Sequence, residues 1–184
     1  GTSALGMPRG TGKTTIVEGA VLWATLYGHK RFVALIGSDQ TAAEGLIRDI
    51  KTELETNELL AEDFPEVCQA VEHLEGRPQK SGSQTWEGHQ TRIVWKSDKL
   101  AFPFHPSSAV SGACIVARGL TAGVRGMKHK TGSKDIRPDF VLLDDPQTRE
   151  SAESMSQTSA REKIILGDIM GLAGHDRKIS AVMC

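Results

Sequence analysis

Residues 7–15 read MPRGTGKTT, and this stretch decides the fold because it joins a predicted strand to a predicted helix. The apolar run Ser3–Met7 is typical of a strand and ends in a turn at Pro8–Gly12. Over Lys13–Tyr27, apolar residues recur with helical spacing. A glycine-rich turn between a strand and a helix leaves backbone N–H groups free to converge on a phosphate, at the positive end of the helix dipole.

This phosphate loop predicts nucleotide binding. Lys13 would reach the β- and γ-phosphates, and the Thr14 hydroxyl would take a position on Mg²⁺. The strict pattern G-x-x-x-x-G-K-[ST] is not met, because Met7 stands where the first glycine belongs and Gly6 is one place early. The order of strand, loop, Gly-Lys-Thr and helix still favours a nucleotide site over a chance glycine turn. The residues predicted to bind the nucleotide are Pro8, Arg9, Gly10, Thr11, Gly12, Lys13, Thr14 and Thr15.

A second pattern, Phe140–Asp145 (FVLLDD), predicts a buried strand that ends in two acids. Ligands of open parallel sheets bind at the carboxyl ends of the strands. One carboxylate there can hold Mg²⁺, and the next can orient and deprotonate the attacking water. Alone, such a strand is more often followed by a solvated turn, but together with a phosphate loop it favours a catalytic pair. We assign Asp144 to the metal ion and Asp145 to the water.

Arginines are candidates for stabilising the charge that develops on the γ-phosphate. Arg9 lies inside the phosphate loop and would act within its own chain. Arg125, in a glycine-flanked segment, would act in its own chain or reach a neighbouring subunit. Spacing leaves a catalytic role and a solvated basic loop equally open for both residues, and it favours the solvated loop for Arg118.

The rest of the chain alternates strand-like and helix-like patterns, which predicts a parallel sheet covered by helices. A β-hairpin or two edge strands are expected at Arg92–Trp95 and Leu100–Phe102, a polar loop at Arg77–Gln90, and a glycine-rich basic loop at Arg118–Lys134. Further strands are expected at Arg31–Gly37, Cys114–Ala117, Phe140–Leu143 and Lys178–Met183. Further helices are expected at Thr41–Glu58, with Asp39 and Gln40 as its cap, and at Glu66–Leu74 and Ser151–Leu172.

The composition is that of a single globular domain. The 184 residues fit one domain at about 100–200 residues per domain. The 22 basic and 23 acidic residues give a net charge of −1, so no global field favours nucleic acid or a basic partner. A local basic run suits a phosphate backbone, although a solvated loop is an equally good interpretation. Its members are Arg125, Lys128, His129, Lys130 and Lys134.

Other sequence features narrow the class. Three cysteines without a CxxC pair argue against a disulfide framework and a thiolate zinc site, and the histidines lack ligand spacing. The sequence has neither a long apolar run nor a secretion signal at its start. We therefore expect a soluble, intracellular protein.

Together these motifs resemble the ATPase domain of the large terminase subunit, the DNA-packaging motor of tailed bacteriophages. The resemblance runs over nearly the whole chain in the family's order, and the series of motifs is fairly specific although no single one is unique. The segments that carry it are Pro8–Thr15 (PRGTGKTT), Ser38–Gln40 (SDQ), Leu100–Pro103 (LAFP), Arg118–Gly126, Arg137–Asp139 (RPD) and Leu142–Pro146 (LLDDP).

The resemblance implies an α/β fold of the additional-strand, RecA-like P-loop NTPase type, with a mostly parallel sheet flanked by helices and a small β-hairpin insertion. It implies that ATP and Mg²⁺ are the cofactors and that ATP hydrolysis drives double-stranded DNA into a viral procapsid. Arg9 would match the arginine of the family's divergent loop, and Arg125 an arginine supplied to the neighbouring subunit of a ring. The family commonly has Asp-Glu where this chain has Asp144 and Asp145, so the second acid is one methylene shorter.

The resemblance also implies the setting of the protein. The partners would be the portal, the small terminase subunit and, in the assembled motor, further copies in a homo-oligomeric ring, in the cytoplasm of a bacterial host; for the isolated domain a monomer remains open. Residues 1–184 would form a single ATPase domain. We expect this domain to be a fragment that lacks the family's N-terminal segment and C-terminal nuclease domain.

Two other classes of function remain open. A P-loop kinase for a small molecule or nucleotide would need a mobile lid with several arginines, which Arg118–Lys134 could provide. A nucleotide-binding assembly module that hydrolyses little would fit the Met7 departure and the Asp145 substitution. The position of the acid pair on a late strand favours the translocating ATPase.

Overall fold

The computed structural model describes residues 2–6, 10–74, 85–90, 93–131, 133–147, 153–169, 171–172 and 179–184. The helices are α1 (Lys13–Leu26), α2 (Gln40–Thr56), α3 (Glu58–Asp63), α4 (Pro65–Glu72) and α5 (Met155–Lys163), which continues as a π-helical segment, Ile164–Ile169. The strands are β1 (Thr2–Ala4), β2 (Phe32–Gly37), β3 (Thr85–Trp86), β4 (His89–Gln90), β5 (Val94–Trp95), β6 (Lys99–Ala101), β7 (Cys114–Gly119), β8 (His129–Thr131), β9 (Lys134–Ile136), β10 (Phe140–Asp144) and β11 (Ser180–Met183).

A seven-stranded sheet with the order β1-β11-β10-β2-β7-β6-β5 forms the centre of the molecule. Strands β1, β11, β10, β2 and β7 are parallel, and the hairpin β5–β6 adds two antiparallel strands at one edge. The expected mixed α/β architecture, with a mostly parallel sheet flanked by helices and a small hairpin, is confirmed.

The apolar strands explain why the sheet is covered on both faces. Every residue of β2 is buried. Since successive side chains of a strand point to opposite faces, both faces of the sheet must be covered here. Val33 and Leu35 pack into a cluster with α1 and α2, whereas Ala34 and Ile36 pack on the other face with Ile169 of the π-helical segment.

In the described part of the chain, no helix is long and apolar enough to cross a membrane.

The beginnings of α2, β2 and β10 are fixed by side-chain caps. Asp39 is the N-cap of α2 and accepts a hydrogen bond from the backbone N–H of Ala42 at 2.8 Å, as expected. Asp139, just before β10, accepts hydrogen bonds from the N–H groups of Arg31 and Phe32, both at 3.0 Å. The carboxylate of the Arg-Pro-Asp motif thus aligns the start of β10 with the start of β2.

Several expected boundaries differ from the structure. The helix expected to run to Glu58 ends at Thr56, because the Asn57 side chain accepts from the N–H groups of Leu59 and Leu60 and starts α3. Residues 85–90, expected to lie in a loop, form the hairpin β3–β4. The helix expected from Ser151 begins at Met155 in the described residues and changes to a π-helix at Ile164.

The largest correction concerns the basic loop expected at Arg118–Lys134. Arg118 belongs to β7, and the polar stretch from His129 to Ile136 contains a third hairpin, β8–β9. The pattern HKTGSKDI around this hairpin has no apolar alternation that would predict strands. Its strands are set instead by their pairing and by the Thr131 hydroxyl, which donates to the carbonyl of Gly112 at 2.9 Å.

Two glycines allow a test of how tightly α2 packs on the sheet. At Gly119 a Cβ would lie 2.6 Å from the backbone nitrogen of Gln40, so we predict that Gly119→Ala destabilises the fold by about 1–3 kcal/mol. At Gly45 a Cβ would meet only the end of Arg48 at 3.6 Å, so Gly45→Ala should stabilise α2 by about 0.5–1 kcal/mol. Urea unfolding of both variants measures the free energies, and equal effects of the two substitutions would contradict this packing.

Candidate functional site

The predicted phosphate loop leads into the N-terminus of α1. Gly10 and Gly12 have φ angles of +79° and +74°, in the left-handed region that residues with a Cβ rarely adopt. Gly12 is the N-cap of α1, and among the described residues no side chain donates or accepts a capping hydrogen bond there. The first N–H groups of a helix lack partners within it, and the helix dipole adds positive potential. This end of α1 is therefore suited to an anion.

Thr14 and Asp144 meet at the carboxyl edge of the sheet. The Thr14 hydroxyl donates a hydrogen bond to Asp144 Oδ1 at 3.2 Å, across 130 positions of sequence. Thr14 lies in the first turn of α1, and Asp144 is the last residue of β10. Hydroxyl, carboxylate and water oxygens are the ligands that Mg²⁺ prefers. The chemistry of this pair therefore fits Mg²⁺.

Asp145 has an unusual backbone conformation. Its φ angle of +37° lies in the left-handed region, where a residue with a Cβ is strained. Its N–H donates to the carbonyl of Cys184 at 3.1 Å, which ties it to the end of β11. The residue also lines a mostly apolar cavity of about 670 Å³ together with Leu5 and Met183. The chain thus leaves β10 directly after Asp144, and two neighbouring acids have different surroundings.

The Cys184 thiol contacts the same carboxylate. Its Sγ lies 3.2 Å from Asp144 Oδ1, the oxygen that Thr14 also contacts. Burial first, and then the hydrogen bond and charge of Asp144, raise the pKa of Cys184 to about 12, while the charge of Lys13 opposes the rise. The thiol therefore stays protonated at neutral pH and donates to Asp144.

The remaining predicted nucleotide-binding residues lie in four places. Thr11 lies between Gly10 and Gly12 and is exposed. Lys13 is the first residue of α1 and is half-buried. Thr15, also in the first turn, lines a groove between α1 and α2. Pro8 and Arg9 lie outside the described residues.

The structure pairs Arg125 with Asp168, a carboxylate outside the acid pair. Its Nε and Nη2 atoms contact Asp168 Oδ1 at 2.7 and 2.5 Å, and 78% of its side chain is exposed. Asp168 belongs to the π-helical segment, so Arg125 joins the loop after β7 to that segment. An exposed arginine bound to a surface carboxylate remains accessible to a second molecule.

Arg118 is not part of a solvated loop. Its Nη1 contacts Asp98 Oδ2 at 2.6 Å, and about one third of each side chain is exposed. Arg118 also donates to the carbonyl of Ala117. The expectation of a solvated basic loop at this residue was therefore wrong, because the β5–β6 turn supplies a carboxylate partner.

Sequence reasoning missed Arg161, whose side chain connects two strand ends. Its Nη1 donates to the carbonyl of Ser38, after β2, at 3.4 Å, and to the carbonyl of Pro146, after the acid pair. These two carbonyls follow the neighbouring strands β2 and β10. Arg161 belongs to no motif in the sequence, and the bounds of its helix were predicted only approximately. The sequence therefore did not indicate that its side chain reaches the ends of β2 and β10.

Glu18 was missed as well, although its spacing contains a signal. Glu18 lies four residues after Thr14, so both face the same side of α1. Its Oε1 is buried and has no hydrogen-bond partner in the described part of the chain. Burial, followed by the charges of Asp49, Asp144 and Glu53, raises the pKa of Glu18 to about 7.

No group of three or more His, Cys, Asp and Glu side chains in the described residues is arranged to hold a metal ion.

Comparisons with known proteins give a limited result. No protein-family model matches the chain, and no curated protein matches it. The chain is similar to a solved structure described as "The Phi-28 gp11 DNA packaging Motor", at 13% sequence identity and a TM-score of 0.48. The similarity covers 99% of this chain and 45% of that chain. The chain thus spans less than half of that protein's length, and a likeness this weak assigns neither an activity nor a partner.

The raised pKa of Glu18 generates a prediction about stability. Between its ordinary pKa of 4.5 and its folded value of about 7, the folded chain holds a proton that the unfolded chain has lost. Stability from this group is therefore present at low pH and is lost as the pH rises through that range. We predict that Glu18→Gln raises the melting temperature at about pH 8 and has little effect at about pH 4.

The control for this prediction is Glu62→Gln, which changes an exposed carboxyl on α3. Thermal melts of wild type and both variants across the pH range test the effect. If Glu18→Gln raised the melting temperature equally at low and high pH, the account of Glu18 would be contradicted. Such a result would mean that ionising Glu18 does not lower the stability of the fold.

Proposed function

We propose that this chain is a Mg²⁺-dependent P-loop ATPase that powers the translocation of double-stranded DNA into a viral procapsid. The observation that carries the ATPase is the hydrogen bond between Thr14 and Asp144, which joins the phosphate loop to the acid pair. In P-loop NTPases the hydroxyl that follows the lysine and the acid that ends a nearby strand hold the same Mg²⁺, so this contact supports the proposal. The packaging role rests on the resemblance of the motif series to large terminase subunits.

The strand order supports the additional-strand type of P-loop fold. Strand β1, which leads into the phosphate loop, does not pair with β10, which ends in the acids. Strand β11 lies between them and is parallel to both. This one added strand still leaves the start of α1 within hydrogen-bond distance of Asp144.

Each part of the site has a proposed role. The backbone of Gly10–Gly12 and the Lys13 ammonium bind the phosphates, and Thr14 and Asp144 hold Mg²⁺. Bound Mg²⁺·ATP supplies the γ-phosphoryl group and a metal charge that offsets the negative charge of the transition state. Pro8, Arg9, Thr11 and Thr15 complete the proposed nucleotide-binding residues.

Asp145 is the proposed general base for the attacking water. A carboxylate at this position can accept the proton of the water and orient its oxygen. The hydrogen bond from its N–H to Cys184 and its left-handed backbone fix where the side chain starts.

Arginine assistance and the assembly are further parts of the proposal. Arg125, exposed and bound to Asp168, is suited to act on a neighbouring subunit, while Arg9 would act within its own chain. The proposed partners are double-stranded DNA, the portal, the small terminase subunit and further copies of this chain in a ring.

One observation weakens the kinase alternative. A kinase lid at Arg118–Lys134 would have to move over the phosphate loop. Leu120 and Val124 of this segment are instead buried on the sheet face that carries Ile36 and Leu143. This packing holds the segment against the sheet.

The proposal is tested by ATP turnover of site variants. Lys13→Ala and Asp144→Asn should each lower Mg²⁺-dependent phosphate release by about 100-fold or more, because the first removes a positive charge that stabilises the transition state and the second removes a charged ligand of the proposed Mg²⁺. Lys163→Ala, which removes an exposed lysine on α5, is the matched control and should turn over as wild type does. Circular dichroism checks that each variant is folded.

The outcomes separate the candidate functions. Slow hydrolysis without an acceptor, raised by double-stranded DNA, is the result expected for a packaging ATPase. Consumption of ATP only in the presence of one small acceptor would indicate a kinase. Wild-type turnover by both Lys13→Ala and Asp144→Asn would show that the site is elsewhere.

A further inference from the structure

An acidic groove of about 580 Å³ lies between α1 and the helices α2 and α3. Among the described residues, four acids line it and no lysine or arginine does; the acids are Glu18, Asp49, Glu53 and Asp63. Two of these already have a polar neighbour, since Asn57 donates to Glu53 at 3.0 Å and Arg48 approaches Asp49 at 4.0 Å from outside the groove. Because burial raises the pKa of Glu18 to about 7, the negative charge of the acidic groove at neutral pH comes mainly from Asp49, Glu53 and Asp63.

The same groove has aromatic walls that are exposed. Trp23 and Tyr27 are 56% and 52% exposed, and their ring centroids lie 6.3 Å apart. Tyr27 also meets Phe64 edge to face at 5.2 Å. Aromatic faces beside carboxylates bind lysine and arginine side chains by cation–π contact and by charge. The unpartnered Oε1 of Glu18 adds an acceptor that a docked cation could satisfy.

A basic hairpin has the complementary charge. It comprises the described residues 128–131 and 133–137, around β8 and β9. Its cations are Lys128, Lys130, Lys134 and Arg137. The acid in this set, Asp135, lies 3.9 Å from Lys128, and both side chains are mostly exposed.

His129 is not part of this charge, although it belongs to the basic run of the sequence. Its ring packs against Phe32 at 6.3 Å between centroids. Burial, followed by the charge of Lys99, lowers the pKa of His129 to about 4, so the imidazole is neutral at pH 7. The hairpin is therefore anchored by His129 and charged at its lysines.

The two surfaces lie on opposite faces of the sheet. Val33 and Ile115 point to the face covered by α1 and α2. Phe32, Cys114 and Val116 point to the other face, where Met127 and Ile136 of the hairpin region pack on them. A molecule with complementary patches on opposite faces cannot satisfy both within itself, but it can do so head to tail.

We propose that the basic hairpin of one copy of this chain docks into the acidic groove of a second copy. The charges favour this occupant, because lysines spaced along a hairpin meet carboxylates along one helical groove, and the aromatic walls take their aliphatic stems. The contact is heterologous, so repeated copies form a closed ring or an open chain. This inference rests on the ring of copies in the proposed function and names its contact; its test measures self-association and not ATP turnover, so failure of the contact and failure of the ATPase are distinguishable.

A charge exchange tests the proposal. The hairpin variant combines Lys128→Glu, Lys130→Glu and Lys134→Glu; the groove variant combines Asp49→Lys and Glu53→Lys. All five side chains lie at the surface, so the fold should tolerate the changes, and thermal melts check this. Sedimentation velocity at low salt measures self-association of the full chain. Each variant alone should weaken association by about tenfold or more relative to wild type.

An equimolar mixture of the two variants is the decisive sample. It restores both an unaltered groove facing an unaltered hairpin and a reversed groove facing a reversed hairpin. We expect association to return in the mixture and to fall with added salt. The matched control, Lys163→Glu with Glu62→Lys, changes surface charge elsewhere and should associate as wild type does.

Three results would overturn the proposal. Wild type that stays monomeric up to its solubility limit would show that the surfaces do not join copies. Variants that associate as wild type does would place the contact elsewhere. A hairpin variant that loses retention on double-stranded DNA while its self-association is unchanged would assign the basic hairpin to nucleic acid.

Discussion

The hydrogen bond from Thr14 to Asp144 depends on the alignment of the whole parallel sheet. It forms only if β10 is in register with β2 and β11, and if α1 starts above that edge. At the start of β10, Asp139 fixes this alignment by accepting hydrogen bonds from the N–H groups of Arg31 and Phe32. At its end, the Cys184 thiol donates to Asp144 and the N–H of Asp145 donates to the carbonyl of Cys184. Several independent contacts therefore fix the positions of the Thr14 and Asp144 side chains, where the proposed Mg²⁺ site lies.

The sequence alone predicts the parts of this arrangement that have a strong local pattern. The buried strands β2 and β10 are continuous apolar runs, and α1 and α2 have helical spacing, so their type and approximate bounds follow from burial. The pairing of Thr14 with Asp144 was also accessible, because the carboxyl ends of parallel strands meet at one edge of a sheet. What the pattern could not give is the distance between the two oxygens.

Other features depend on tertiary contacts and leave no local pattern. The β8–β9 hairpin has polar strands that are fixed by pairing and by Gly112, so it reads as a loop. The pKa of Glu18 is raised first by its burial in the fold and then by the charges of Asp49, Asp144 and Glu53, which other segments bring close to it. Arg118 found a partner in Asp98, twenty residues earlier in the chain, through the antiparallel pairing of β6 and β7. In each case a second segment determines the behaviour of the residue.

The most direct test of the central claim is the Mg²⁺ dependence of ATP affinity, measured by calorimetry for wild type, Thr14→Ser and Thr14→Val. If Thr14 and Asp144 hold the metal, Mg²⁺ should raise the affinity of wild type and Thr14→Ser by about tenfold or more and leave Thr14→Val nearly unchanged. The serine keeps the hydroxyl, and the valine keeps the shape without it. Equal Mg²⁺ enhancement in all three proteins, or no ATP binding by wild type, would contradict the account.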